Sequence, residues 1–425
     1  MRIPSLLFLG AVLQFSAAVC SFADEPGPQP LTWQDCVGLA SASNPSLLAA
    51  KHDMESARAL YYVSLNNFFP SLNLRHSFSR SGDNSGLDPD SWSAGANMSI
   101  SLLDFGNIKD LKSKKTSLKK AEEVLRQTGV NLRKTLSTAF AELLYAQRKI
   151  GLMESIAELR VKNAKMVALQ YEGGRESKGN MMRATALADQ AKADIEKARL
   201  SLRTSQRKLL AAIGQDSLSV AVASGTLSVP ERQPEPDIEA VAQNSPDVKV
   251  AGYALELSRI SLESAQTDAY PTLTATQSLS WTGRQEFPGD RSWGVGLALN
   301  LPIFSGGPTS YWQSKSSANQ LYLSAKESYR NTLLSTRHSA QNAWTALLSA
   351  LYDCSLDLEM LSASQQRHSE STIKYLAGRM IFENWETIEQ ELVNAEKAYL
   401  DTLRDTALAQ AAWDALKGKT LGEKP

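Results

Sequence analysis

The sequence predicts an α+β membrane protein in which long antiparallel α-helical coiled-coil hairpins carry four β-strands per chain. Three observations predict it. Landmark residues recur at a fixed offset, two stretches of more than a hundred residues lack proline, and two segments alternate strictly between apolar and polar side chains.

The chain has 425 residues, with Lys+Arg 45 against Asp+Glu 45. This balance carries no basic surplus for a polyanion, so nucleic acid is not an expected partner. Residues 1–23 read as a secretory signal: Arg2, an apolar run from Leu6 to Phe15, then Ser21 and Ala23 as the small residues before cleavage. Cys20 offers a lipoprotein alternative, against which stands Val19, where such sites want a small residue. Cleavage after Ala23 leaves Cys36 and Cys354, which an oxidising periplasm would let pair and which also suit two buried small hydrophobes. No later segment has the ~20 apolar residues of a spanning helix, so any membrane crossing must be made by strands.

Two copies of one unit follow, residues 24–226 and 237–418, joined by the proline- and charge-rich connector 227–236 and followed by a tail at 419–425. Pro45 and Pro246, Pro70 and Pro271, and Trp92 and Trp293 are each 201 residues apart. Tyr171, Gly174, Arg175 and Gly214 match Tyr375, Gly378, Arg379 and Gly418 at an offset of 204. Each copy reads as helix, strand, loop, strand, long helix, turn, helix.

The helices preceding the strands cover 46–69 and 247–269, and the strands cover about 71–81, 91–103, 272–282 and 292–303. In the second strand Trp92, Ala94, Ala96, Met98, Ile100 and Leu102 share one face, with Ser, Gly and Asn on the other. In the fourth, Trp293, Val295, Leu297, Leu299, Leu301 and Ile303 do the same. About 9–11 tilted residues cross a bilayer and aromatics gather at its interfaces, so these residues are expected to face lipid. Four strands cannot close a barrel, and eight would leave a filled interior. Twelve strands from a homotrimer form the smallest open transmembrane β-barrel.

The long helices, 107–172 and 309–374, make rods of roughly 100 Å. The return helices, 176–213 and 380–417, are shorter, and each stacked on its short partner equals one long rod. A helical bundle therefore has a barrel at one end and two tight turns at the other, with coiled-coil packing between rods. Gly174 and Gly378 suit left-handed helix caps at those turns, and Arg175 and Arg379 are either solvated helix-end charges or tip contacts.

This plan, with LTWQDCVGLASASNPSL at Leu31 and FFPSLNL at Phe68, resembles the TolC-type outer-membrane efflux proteins over essentially the whole mature chain. The resemblance implies a homotrimer with a twelve-stranded barrel in the cell outer membrane and a periplasmic α-barrel. It also implies a tip contacting a periplasmic adaptor and an inner-membrane pump through Tyr171, Gly174, Arg175, Tyr375, Gly378 and Arg379. Such proteins are passive conduits without cofactors. In relatives a Tyr and an Arg near the second tip hold the tunnel closed and two Asp line its constriction. Tyr375 matches the Tyr, while Arg379 falls one residue before the Arg position, which is Met380. The acidic positions fall on Asn384 and Thr387, and Glu383 and Glu386 lie one residue earlier at the same spacing, where a slip in the turn would bring them to the constriction.

An enzyme is not expected: His52, His76, His338 and His368 have no ligand spacing, and no phosphate-binding or nucleophile motif occurs. A periplasmic adaptor or a coiled-coil scaffold without a pore is the alternative. An adaptor has one hairpin where this chain has two, and the alternation from Trp293 to Ile303 argues against a scaffold. The sequence leaves the solute open among drug, metal and polypeptide.

Overall fold

A computed structural model describes residues 30–423 apart from 81, 84–85, 88–89, 216–220 and 304–305. The signal segment and Cys20 lie outside the described residues. The first helix, α1 (Trp33–Ser43), starts at a capping box: Thr32 accepts from the Asp35 amide while the Asp35 carboxylate accepts from the Thr32 amide. The Thr32 hydroxyl, and after it the Thr32 amide, donate to the Asp35 carboxyl and hold it below its ordinary pKa. Asn44 then caps α2 (Pro45–Leu65), with proline in the first turn where its missing N–H costs nothing.

Two strands follow, β1 (Ser71–Ser79) and β2 (Ser91–Leu103), then α3 (Phe105–Glu172), capped by Asp104, and α4 (Lys178–Ile213). The second copy repeats the order with α5 (Ile238–Asn244), α6 (Pro246–Thr267), β3 (Thr272–Gly283), β4 (Asp290–Asn300), α7 (Ser310–Leu376) and α8 (Phe382–Leu416). The 68-residue α3 and the 67-residue α7 are each about 100 Å long.

Several boundaries differ from the sequence expectation. Both return helices start two residues late, at 178 and 382, because the tip turns consume those residues. The first strand ends at Ser79 rather than 81. The fourth ends at Asn300, leaving Leu301 and Ile303 beyond it, since Pro302 has no N–H to continue the ladder. Helices α1 and α5 were not anticipated.

The helices form a wall with a definite order. α3 packs against α2 and α4 of its own copy and against α6 and α8 of the other, while α7 packs against α6 and α8. The order is therefore α2 with α4, then α3, then α6 with α8, then α7. Within the first column α4 abuts α2 end to end. Asn44 Nδ2 donates to the Ala212 carbonyl at 2.9 Å and Ser43 Oγ to the Ile213 carbonyl at 2.9 Å, so the residues that begin α2 cap the end of α4. Gly214 makes the join possible: its φ is 86° and a Cβ there would lie 2.6 Å from the Ser43 carbonyl oxygen. At the matching join Arg126 of α3 donates to the carbonyls of Gly418 and Asn244.

The main apolar core lies at this level, built around Cys36, Leu136, Leu143, Leu209 and Ile213, all fully buried. Beside it Pro30–Leu31 pairs in parallel with Val222–Ala223. Cys36 and Cys354 are free buried thiols in this cluster, and burial pushes the Cys36 thiol up to about 11. Arg133 donates to the carbonyls of Thr420 and Glu423, pinning the tail to α3.

Candidate functional site

The strands form one antiparallel sheet in the order β1-β2-β3-β4. Its register carries the large apolar residues to one side. Leu72 faces Met98, Leu74 faces Ala96, and Phe78 faces Trp92. Ala275 faces Ile100 on one side and Leu297 on the other, and Leu279 faces Ala96 and Trp293. This face has no cover: Trp293, Val295, Leu297 and Leu299 are each 70% exposed or more. A soluble sheet would bury such a face. Among the described residues no helix is long and apolar enough to cross a membrane.

Phe78, Trp92 and His76 gather at one end of the apolar face, with ring centroids 4.8 Å and 5.6 Å apart for the two contacts to Trp92. They have the position of an interfacial aromatic girdle. Leu102 is a correction to the alternation: the β2–β3 ladder shifts register between Ser101 and Leu103, so Leu103 rather than Leu102 faces Leu273. The opposite face carries mainly Ser, Thr, Asn and Gly, with hydroxyl pairs Ser77–Ser93 and Ser280–Ser292 at 2.8 Å and 2.6 Å.

Two edges of the sheet, β1 and β4, are unpaired. The helical wall ends on the same two parts of the chain, α2 with α4 at one edge and α7 at the other. Both edges expose apolar residues. Tyr352, Leu356 and Met360 are more than half exposed at four-residue spacing on α7, and Leu60, Val63 and Leu200 are at least half exposed on α2 and α4.

At the tip the two hairpins are tied together by polar side chains. Tyr375 is 3% exposed, stacks on Trp385 at 4.7 Å with an interplanar angle of 8°, and donates to Glu176 Oε1 at 2.9 Å. Burial foremost, then the Glu176 carboxylate, raises the phenol pKa beyond its ordinary range. Trp385 donates to Thr372 at 3.1 Å, and Phe382 and Val167 complete the apolar cluster. Arg183 of α4 pairs with Glu386 of α8 at 2.8 Å. Deeper, Arg160 of α3 pairs with the fully buried Glu389 of α8 at 3.2 Å and donates to Gln390 at 2.7 Å. Burial raises the Glu389 pKa despite the adjacent guanidinium. Across the same region His368 is half-buried, and burial together with Arg160 lowers its pKa.

The structure separates the tip residues that the sequence grouped. Tyr171, Gly174, Arg175, Gly378 and Arg379 are exposed, whereas Tyr375 is packed inside. Glu383 is exposed, but Glu386 is turned toward Arg183 and is nearly buried, so the two acids do not share a face. Asn384 and Thr387 share the exposed face with Glu383. The Arg160–Glu389 pair was missed. Its signal was a carboxylate on the buried stripe of α8, three residues beyond Glu386 and in step with Phe382 and Trp385.

The family model for "Outer membrane efflux protein" matches residues 36–215 and 238–418. The chain belongs to the outer membrane efflux protein family. A curated member, the cobalt-zinc-cadmium resistance protein CzcC of Cupriavidus metallidurans, is 23% identical over 305 residues, 70% of each chain. The solved structure of CusC superimposes with a TM-score of 0.83 at 17% identity, covering 93% of this chain and 95% of that one. The open-state structure of the Neisseria gonorrhoeae MtrE outer membrane channel gives 0.81 at 20% identity, covering 92% and 89%. The protein is thus an outer-membrane efflux channel with a β-barrel portion and a periplasmic helical tunnel.

Proposed function

We propose that three copies close both layers at once, forming a twelve-stranded barrel in the outer membrane and a continuous helical tunnel below it. The conduit is the passive exit duct of a tripartite assembly, with a periplasmic adaptor docking at the tip and an inner-membrane pump supplying the energy. The observation that carries this reading is the coincidence of edges. The sheet is open at β1 and β4, and the helical wall is open at α2 with α4 and at α7. One rotation joining the last element of one chain to the first of the next satisfies both. Such a head-to-tail interface makes a ring when the rotation closes.

The tip latch is the gate in this reading. Tyr375 and Glu176, Arg183 and Glu386, and Arg160 and Glu389 hold the second hairpin against the first. Glu383, with Asn384 and Thr387 beside it, is the group offered to the constriction, and Tyr171, Gly174, Arg175, Gly378 and Arg379 are offered to the adaptor. Light scattering of the mature protein in detergent is expected to give the mass of three chains, and planar bilayers are expected to carry discrete current steps. A monodisperse monomer that conducts no current overturns the proposal.

A further inference from the structure

We propose that Arg75 selects for charge in the barrel lumen and gives the outer-membrane section of the duct a preference for anionic solutes. The inference rests on the trimeric barrel proposed above.

Arg75 lies on the polar side of β1 with Ser71, Asn73, Ser77 and Ser79. The polar faces of β2 and β3 carry only serine, threonine, asparagine and glycine. β4 adds Asp290 at its first residue and no charge on that face from Ser292 to Asn300. Arg75 is therefore the one charged residue on this face away from the strand ends. It is exposed and its side chain, among the described residues, makes no hydrogen bond, ion pair or ring contact. The register sets it opposite Gly95, which has no side chain to cover it, and Ser280 and Ser292 continue the row. Those two hydroxyls bond to each other. Gly95 has little room to become a covering residue, because a Cβ there would lie 3.1 Å from the Leu279 carbonyl oxygen.

Twelve strands about 4.8 Å apart and tilted by about 40° give a barrel radius of roughly 12 Å. An arginine reaching about 6 Å inward places its charge about 6 Å from the axis. The Debye length is about 8 Å at physiological salt, so three such groups hold the whole cross-section within their field.

The test uses the full channel in planar bilayers under a KCl gradient at low ionic strength. Arg75→Gln, Arg75→Glu and Asp290→Asn are compared, each in a Tyr375→Phe background that loosens the tip. Arg75→Gln is expected to lower the chloride-to-potassium permeability ratio about threefold, and Arg75→Glu to make the channel cation-selective. Ferrocyanide added at the barrel mouth, which reaches Arg75 without passing the tip, is expected to block the parent and to lose that block in Arg75→Gln. Normal current with an unchanged ratio and unchanged block in Arg75→Gln overturns the assignment and leaves the channel intact. A rise in anion preference in Asp290→Asn larger than the fall in Arg75→Gln means that the neighbouring chain's carboxylate neutralises the arginine, which also overturns it. Absence of current in every variant overturns the channel reading and this inference with it.

Discussion

At the first tip Tyr171 is 37% exposed, whereas its counterpart at the second, Tyr375, is 3% exposed. The backbones do not explain the difference. Gly174 and Gly378 both have φ of 70°, and the amides of Arg175 and Arg379 donate to the carbonyls of Gln170 and Lys374 at 2.8 Å and 2.9 Å. Each turn is the same left-handed helix cap. What differs is the return helix. Phe382, Trp385, Glu386 and Glu389 of α8 correspond to Lys178, Met181, Met182 and Thr185 of α4. Ser177 caps α4 by accepting from the Asn180 amide at 3.1 Å, while its counterpart Ile381 provides no side-chain cap to α8 and is 61% exposed. The first hairpin is locally complete. The second is held by contacts that cross to the first.

This asymmetry has consequences that can be ranked. The largest is at Glu389. Glu389→Ala strands a buried guanidinium and is expected to cost about 3–5 kcal/mol in detergent denaturation, with much of the loss recovered in an Arg160→Met/Glu389→Leu double variant. Thr185→Ala, at the matching exposed position of the first hairpin, should cost under about 0.5 kcal/mol. Equal losses at the two positions would erase the distinction between the hairpins.

Acidity probes the same pair. The Glu389 carboxyl has a raised pKa in the closed packing, so its contribution is fully present below the ordinary glutamate range and is lost as pH rises through the raised value. Conductance should therefore rise as pH is raised above the ordinary glutamate range, and Glu389→Gln should flatten that dependence. His368 acts in the opposite direction. Its lowered pKa makes the neutral ring the one that fits, and that contribution is lost as pH falls through the lowered value.

Next in size is Tyr375→Phe, which keeps the stack on Trp385 and removes only the bond to the Glu176 carboxylate. A loss of about 1.5–3 kcal/mol in closure is expected, read as more frequent opening in single-channel records. Tyr171→Phe should leave the records unchanged. The smallest effect is a gain: Ile381→Ser gives α8 the cap that α4 already has and should stabilise the tip by about 1 kcal/mol in thermal melting.

Much of this plan could be read from the sequence, because strong signals were involved. The long rods are marked by the absence of proline and the strands by strict alternation, and the repeat offset fixes how the two copies correspond. Helix α1 was missed because Asn44-Pro45 is a stronger start signal and hid the capping box at Thr32 and Asp35 just upstream. Helix α5, seven residues capped by Asp237, is too short to show periodicity. At the tip, the repeat equated Tyr171 with Tyr375, and equivalence in register says nothing about burial. That difference lies in Trp385 and Phe382, seven to ten residues downstream, which fold back across the second turn onto Tyr375. A contact across to the first hairpin turns Glu386 toward Arg183, which local spacing could not reveal.

The joint at Gly214 bears on how force travels. Each column of the tunnel wall that reaches from membrane to tip is either one uninterrupted helix or two helices meeting without a peptide link between them. At the Asn44–Ala212 contact hydrogen bonds and apolar packing, with no peptide bond, join the upper piece to the lower. Twist applied at the tip is expected to travel up α3 and α7 as continuous shafts, whereas α4 and α8 pass it on only through side-chain packing and hydrogen bonds at their joints.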